Sequence, residues 1–517
     1  MFNLTHIGHA GWLVEKENFK AIFDPWFDPR GTFFNSWHQF PDNSHLFTND
    51  LFSNLDLLYI SHAHNDHCDE WTLEKIDKET KILIPNFKDK MLKNKLKKIG
   101  FTNISEVNEG EKTNIKDVEM ELIIEDGFND RDSAIVINDG ENKIINLNDC
   151  HPSFEKIEKY SKDVDLLLMQ CSSAIWWPCV YDYQIKDLIS KCQQKRKNVL
   201  NRAVQYSNRI KPKYVVPNAG PPIFLHEKFK FWDETRDLDF NPFPLHDEID
   251  NFLKQNNVPS LFVIPGSSIE LSGNKIINKT DIKQREFIYN DFKKYLKNLR
   301  EKKKNNGNLL DQLVEPQDLG NMIETFSSLI RKIRKTSRIF IYKINFPILI
   351  NFKNHSSWII DFQKDIDFCF EEYVDQEYKY SFTFDPDVVN YLIHQDEIDF
   401  DEYFLSMRFS CARKEDVFNE FLFAMFKNLD LKRFKISESI YITQNMVFQD
   451  SMETFTVNVS GKNKRIQKYC PHQFVNLEEC GVIEGNVITC PLHNWKFNLE
   501  TGKCMTSDKY CLTIEEE

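Results

Sequence analysis

A chain of 517 residues, 41% hydrophobic and 28% charged, is long enough for about three domains with sizeable cores and has the composition of a multidomain soluble protein. Its net charge of −13 argues against general nucleic-acid binding, because neutralising phosphates requires a cationic face. Twelve cysteines without a framework of spacings point to reduced thiols and a cytoplasmic location; no run approaches the length that spans a bilayer, and Met1-Phe-Asn-Leu-Thr-His6 enters a strand without the features of a secretory signal.

Residues 1–275 alternate short apolar strands, such as Lys81-Ile-Leu-Ile-Pro85 and Leu261-Phe-Val-Ile-Pro265, with polar helices, which predicts a layered αββα sandwich. Within it the apolar run Leu57-Leu-Tyr-Ile60 leads into Ser61-His62-Ala-His64-Asn-Asp66-His67. Three His and one carboxylate within six residues cannot share one face of a strand or helix, so a loop must fold them around ions. This H-x-H-x-D-H stretch resembles the metallo-β-lactamase superfamily, in which the first two His serve one metal and the Asp and last His a second. Thr5-His6-Ile-Gly8-His9-Ala-Gly11-Trp12 resembles its opening strand and turn. Phe23-Asp24-Pro25-Trp26 resembles its first acidic motif, whose Asp supports the metal-binding loop. Lys143-Ile-Ile-Asn-Leu-Asn-Asp149-Cys150 fits the strand that ends in the metal-bridging Asp.

The resemblance implies His62, His64, Asp66, His67 and Asp149 as ligands, with Asp66 and Asp149 as the catalytic carboxylates. Two positions depart from it. The superfamily's next His falls at Asn129, within Asp126-Gly-Phe-Asn129-Asp130-Arg-Asp132. Its last His is missing after Tyr214-Val-Val-Pro217, where Asn218-Ala-Gly220 follows and His226 comes six residues later. Asn129, Asp130, Asp132, His151 and His226 compete for the open places, and His226 is taken into the expected ligand set. His9 fits equally as a ligand or as a residue behind one.

Gln184 to Ile210 reads as a helix whose Lys195-Arg196-Lys197 run and Arg202 form a solvated face, with anion recognition as the alternative. Ile282 to Lys304 is a charged helix ending in Asn305-Asn306-Gly307-Asn308, a domain boundary. Residues 276–430 form a helical linker and α+β module, with Phe346-Pro-Ile-Leu-Ile-Asn-Phe352 as a strand. From about 434 to 517 short strands and turns predict an all-β domain.

That last domain holds Cys470-Pro-His472 and, after 17 intervening residues, Cys490-Pro-Leu-His493-Asn-Trp495. One thiolate and one imidazole from each loop is the ligand set of a Rieske [2Fe–2S] cluster. Zinc also binds Cys and His at short spacing. It does not call for C-x-H paired with C-x-x-H, for Pro after each first Cys, or for the following Trp495-Lys-Phe497-Asn-Leu-Glu-Thr-Gly502 turn. Val475 and Leu492 stand where respiratory Rieske domains carry a disulfide, so the loops look like the oxygenase type; Cys480 and Cys504 read as buried thiols.

Two such sites in one chain narrow the function. Zinc has no accessible redox change, so a hydrolase-like zinc site has no use for an electron donor, and imidazole and carboxylate ligands also suit non-haem iron. At this point the chain resembles the CMP-N-acetylneuraminate hydroxylase family, which combines both domain types. Ile60-Ser-His62-Ala-His64-Asn-Asp66-His67, Lys143-Ile-Ile-Asn-Leu-Asn-Asp149-Cys150, Val215-Val-Pro217-Asn-Ala219-Gly220 and Asp385-Pro-Asp-Val-Val-Asn-Tyr-Leu-Ile393 through Ser406-Met-Arg408-Phe-Ser410 all look like its segments. The family places its Rieske domain first, whereas here it is last, and Gln170-Cys-Ser-Ser-Ala-Ile-Trp176-Trp177-Pro178 replaces a Gly-rich segment. Trp176 and Trp177 either stack on a planar part of the substrate or fill the core.

The resemblance implies an O₂-dependent monooxygenase with a Rieske cluster and one or two non-haem irons. It would hydroxylate a small metabolite such as a CMP-sialic acid-like N-acyl sugar, with electrons from an external cytochrome b5- or ferredoxin-type donor and its reductase. Two alternatives stay open: a metallo-β-lactamase-fold hydrolase with a Rieske redox sensor, and a non-catalytic electron carrier.

Overall fold

The computed structural model describes residues 1–128, 132–304, 319–449 and 453–516. They fall into two units, one of residues 1–125, 132–175 and 189–304, the other of residues 126–128, 176–188, 319–449 and 453–516. The expected boundary at Asn305–Asn308 lies outside the described residues.

The first unit is built on two sheets. One has eight strands in the spatial order Lys275–Lys279, Ser268–Ser272, Phe2–Gly8, Gly11–Lys16, Phe19–Phe23, Leu57–Tyr59, Ile82–Pro85 and Ile104–Val107. The other has six, in the order Tyr214–Asn218, Leu166–Gln170, Lys143–Asn146, Ser133–Asn138, Val118–Ile124 and Lys112–Ile115. Alternation explains the strand at Val118–Ile124: Val118, Met120 and Leu122 are buried while Glu119 and Glu121 face outward. Leu57–Tyr59 and Leu166–Gln170 pair in parallel with neighbours on both sides and are buried throughout, as covered parallel strands require.

One apolar core joins the facing sheets, with Leu4, Trp12, Phe23 and Tyr59 from the first and Met120, Leu122, Ile144, Leu168 and Val216 from the second. A separate core packs the helix Met91–Ile99 onto the first sheet through Leu92 and Leu96, against Leu58, Ile82 and Ile84. The helix Ile185–Ile210 buries Cys192, Val199, Ala203, Tyr206 and Ile210, spaced along one face. The charge run on this helix is not wholly solvated: Arg196 is buried and donates to the Asn241 carbonyl at 2.7 Å. The layering is the expected αββα sandwich.

Two expectations need adjustment. Leu261–Pro265 is extended but joins no sheet; Ser260 makes only an isolated bridge to Val215. The charged helix after Ile282 breaks at Asp291 into Ile282–Asn290 and Phe292–Lys303. Both pieces pack on the first unit, with Ile288, Leu296 and Leu299 against Phe40 and Ile223.

The second unit holds a five-stranded sheet in the order Phe370–Glu372, Ser357–Ile360, Ile348–Phe352, Tyr380–Phe384 and Ser410–Arg413. Phe382, Phe384, Phe404 and Phe426 meet ring to ring on it. Two three-stranded sheets follow: Thr454–Val459, Lys462–Gln467 and Ile514–Glu516; then Val482–Glu484, Val487–Cys490 and Trp495–Asn498. The stretch from 434, expected as strands, begins instead inside the helix Leu431–Gln449, which buries Phe434, Ser437, Glu438 and Tyr441 at helical spacing.

Two short segments from early in the chain belong to this unit. Phe128 stacks on Phe421 at 5.7 Å. Trp176 packs against Phe404 at 5.2 Å and Phe423 at 5.8 Å, which makes it a core residue.

Candidate metal centres

The loop Ser61–His67 springs from the end of the buried strand Leu57–Tyr59. Asp24, just past the neighbouring strand Phe19–Phe23, fixes it. One carboxylate oxygen accepts from the Ser61 amide at 2.8 Å; the other accepts from the Ser61 hydroxyl at 2.6 Å and lies 2.9 Å from His67 Nδ1. A proton held on Nδ1 by this carboxylate leaves Nε2 as the lone-pair nitrogen, the usual arrangement behind a metal-binding imidazole.

Around that nitrogen the donors converge. His67 Nε2 is 3.7 Å from Asp66 Oδ2 and 3.6 Å from Asp149 Oδ1. His62 Nε2 is 2.9 Å from His64 Nδ1 and 3.6 Å from Asp132 Oδ1. His9 Nε2 is 3.1 Å from Asp66 Oδ2. The structure thus brings together three overlapping groups, His62 with His64 and Asp66, His62 with His67 and Asp149, and His9 with Asp66 and His67; within each group the ligand atoms lie within 4.8 Å of one another.

Asp66 Oδ1, His67 Nε2, Asp132 Oδ1 and Asp149 Oδ1 are buried and make no hydrogen bond among the described residues. Leaving one such group unsatisfied costs about 1–3 kcal/mol, more if charged, so their convergence fits a cation cradle. The electrostatics agree. Burial alone would raise the Asp66 carboxyl, but the His67 and His9 imidazoles hold it below its ordinary range. Burial alone would lower His67, but Asp66, Asp149 and Asp24 raise it well above normal. Burial pushes His62 down to about 4, keeping it neutral and able to ligate.

Among the competing residues, Asp132 stands beside His62 at the start of strand Ser133–Asn138. Asn129 and Asp130 lie outside the described residues. His151 and His226 are not brought into these groups. His226 is exposed, and its Nδ1 accepts the Lys228 amide at 3.1 Å to cap the short turn Glu227–Phe229.

The second centre is local. Cys490 ends the strand Val487–Cys490 and pairs across the hairpin with Trp495, so the loop between them carries His493. Cys470 N donates to the Val475 carbonyl at 2.9 Å and Phe474 N to the Cys470 carbonyl at 2.8 Å, closing the other loop around His472. Phe474 and Asn494 adopt left-handed φ of 56° and 59°, turning the chain sharply within each loop.

The rings of His472 and His493 are 5.0 Å apart at 81°, and both thiols are buried. Burial and the adjacent Cys490 thiol push the Cys470 thiol well up, and the His472 and Gln473 amides point at its sulfur. A pair of adjoining thiols and a pair of adjoining imidazoles on neighbouring loops fit the [2Fe–2S] ligand set. Val475 and Leu492 are buried apolar residues of these loops, while Cys480 and Cys504 are only partly buried and form no disulfide among the described residues.

His472 also stacks on Trp495 at 3.9 Å and 9°. Its Nε2 lies 3.4 Å from Glu420 Oε2. Glu420 opens the helix Glu420–Lys427, and burial pushes its carboxyl well above the ordinary range. Sequence reasoning missed this residue, since nothing marks one acid among the 79 acidic residues.

Residues 3–174 match the beta-lactamase superfamily domain, residues 321–443 an Rv3818-like, SCP2-like domain, and residues 428–511 the Rieske [2Fe–2S] domain. The chain joins a metallo-β-lactamase-like domain to a C-terminal Rieske domain. It is similar to a Mycobacterium tuberculosis protein named as a Rieske 2Fe-2S iron-sulfur protein, at 29% identity over 98% of each chain. It is also similar to cytidine monophosphate-N-acetylneuraminic acid hydroxylase of Danio rerio, at 26% identity over 45% of this chain and 40% of the relative. Among solved structures, that of CmlA, a diiron beta-hydroxylase from Streptomyces venezuelae, aligns with a TM-score of 0.37 and 17% identity over 52% of this chain and 54% of that one. Among the described residues no helix is long and apolar enough to cross a membrane.

Proposed function

We propose that the protein is a Rieske-fed non-haem iron monooxygenase that hydroxylates a small metabolite, with an N-acylated, CMP-activated sugar acid as the leading substrate. The observation that carries this reading is the coexistence, in one chain, of a buried imidazole–carboxylate cradle and a built Rieske site. The similarity to a hydroxylase over 45% of this chain supports the substrate class. Bound iron would supply redox chemistry with O₂, which zinc does not.

The chain's own residues have definite tasks. His62, His64, Asp132 and Asp149 would hold one ion, and Asp66 and His67 would contribute to a second. Asp24 keeps the His67 proton on Nδ1. Cys470, His472, Cys490 and His493 would hold a cluster that supplies one-electron chemistry, with a cytochrome b5- or ferredoxin-type protein as the donor. Burial of the cradle excludes bulk water, so a substrate C–H bond placed beside it meets a dry site.

The test is incubation of reconstituted full-length protein with reductant, ¹⁸O₂ and CMP-N-acetylneuraminate or related amides. Label in a hydroxylated product is expected. Product formed equally well without oxygen and reductant would mean hydrolysis and overturn the reading.

A further inference from the structure

We infer that His9 is a direct ligand of a second metal ion, standing in for the histidine missing after strand Tyr214–Asn218. This rests on the reading that the N-terminal cradle holds metal.

Position comes first. Ala219, the first residue past that strand, donates its amide to the His9 carbonyl at 3.2 Å, so the His9 turn lies against the strand end that lacks a ligand. On the far side of the turn, Trp12 Nε1 donates to Asn218 Oδ1 at 3.0 Å. The chain start therefore presents an imidazole at the place where the late strand presents only Asn218 and Ala219.

The backbone is then held in an uncommon shape. His9 has φ 47° and Gly8 φ 109°. A Cβ on Gly8 would meet Asn43 Nδ2 at 2.8 Å and Gln39 Oε1 at 2.9 Å. Both amides are buried and committed: Asn43 donates to the Ile7 and Trp26 carbonyls and Gln39 to the Trp26 carbonyl. A left-handed non-glycine residue costs on the order of 1 kcal/mol and persists where its surroundings over-determine it, commonly at functional sites.

The contact itself separates a ligand from a residue behind one. A supporting histidine would hydrogen-bond the Asp66 carboxylate through an N–H. His9 Nε2 sits 3.1 Å from Asp66 Oδ2, yet makes no hydrogen bond among the described residues. Its side chain is only 3% exposed. Trp26 edges the ring at 5.3 Å and His67 at 5.4 Å, both near perpendicular, which fixes its plane. Two ligand-capable atoms held this close without a hydrogen bond fit a shared cation. The second ion would then take His9, Asp66 and His67, with Asp149 facing both ions.

The experiment is anaerobic loading of the full chain with Fe²⁺, with metal counted by elemental analysis and cluster irons counted separately by visible absorption. His9→Gly suits the left-handed turn and removes the imidazole. Wild type should bind two irons beyond the cluster. His9→Gly should bind one tightly, with affinity for the other reduced at least about 100-fold, since even residues behind ligands cost 10–100-fold. Added imidazole should restore the second ion, an effect a purely structural role would not show. Unchanged cluster absorption and unfolding temperature of the metal-free variant would establish that it folds.

Two irons bound by His9→Gly with wild-type affinity would overturn the inference and leave the metal reading standing. A wild type that binds a single iron unaffected by His9→Gly would overturn it as well. A wild type that binds none beyond the cluster would sink the metal reading, and the inference with it.

Discussion

The two metal centres are assembled in opposite ways. All four proposed cluster ligands lie between Cys470 and His493, in loops closed by their own hairpin and turn bonds. The cradle draws His9, the loop His62–His67, Asp132 and Asp149 from segments spread over the first 149 residues, and its geometry exists only once two sheets have packed. A local centre depends on its loops. A dispersed one depends on the fold, and on residues such as Asp24 that hold its ligands in place.

The sharpest break in that comparison is Cys490→Ser. A hard hydroxyl replaces a thiolate, so the visible absorption and low-temperature paramagnetic signal of the cluster should disappear. Metal bound in the cradle should be unchanged, because its donors come from other loops. A variant that kept the wild-type spectrum would disprove the cluster assignment.

Next in size is Asp24→Asn. The amide keeps the volume but cannot accept from the Ser61 amide, the Ser61 hydroxyl and His67 Nδ1 at once. Metal affinity of the cradle should fall about 10–100-fold, with the cluster signal intact. Isothermal titration with Fe²⁺ or Mn²⁺ would measure this, and unchanged affinity would show that the loop holds its ligands without Asp24.

This difference in assembly also decided what the sequence could reveal. The Cys470, His472, Cys490 and His493 pattern stands out in the sequence because the spacing of a local site is written along the chain. His62, His64, Asp66 and His67 stand out as a pattern for the same reason, whereas Asp149, three residues past the strand Lys143–Asn146, was implied only by the resemblance. Asp132 remained one of several candidates in the sequence, and its place beside His62 comes from the start of the folded strand Ser133–Asn138. His9 stays open in the sequence because its left-handed backbone, which sets its direction, is not legible from its neighbours. The sandwich was legible from apolar strands alternating with polar helices, while the helix Leu431–Gln449 was not, since its hydrophobic face is patched with Ser437 and Glu438. Glu438 is buried there because its carboxylate accepts from the Arg338, Ile339 and Phe340 amides, a long-range partnership invisible to local pattern.

A smaller effect is expected at Glu420, the residue that ties the cluster loop to a helix outside the Rieske strands. Burial favours the neutral carboxyl beside His472 Nε2. Glu420→Gln keeps a neutral group of the same shape and should leave the cluster potential near wild type. Glu420→Ala removes the contact and opens a cavity next to a ligand, so the potential should shift while the cluster remains bound, as hydrogen bonding and solvent exposure tune such centres. A redox titration followed by electron paramagnetic resonance separates these outcomes; wild-type potential and g-values in Glu420→Ala would show that the contact has no influence on the cluster.

The smallest effect belongs to His226→Ala. Sequence spacing placed His226 where the superfamily's last ligand belongs, but the structure turns it to solvent as the cap of the turn Glu227–Phe229, with Nδ1 accepting the Lys228 amide. Losing a capping acceptor at an exposed turn costs about 0.5–1 kcal/mol, a shift of a few degrees at most in a domain of this size. Metal content and affinity should not change, in contrast to His9→Gly, so the pair of variants asks which end of the chain completes the cradle. Loss of one ion from His226→Ala with retention of both in His9→Gly would reverse the assignment and place the missing ligand after the late strand after all.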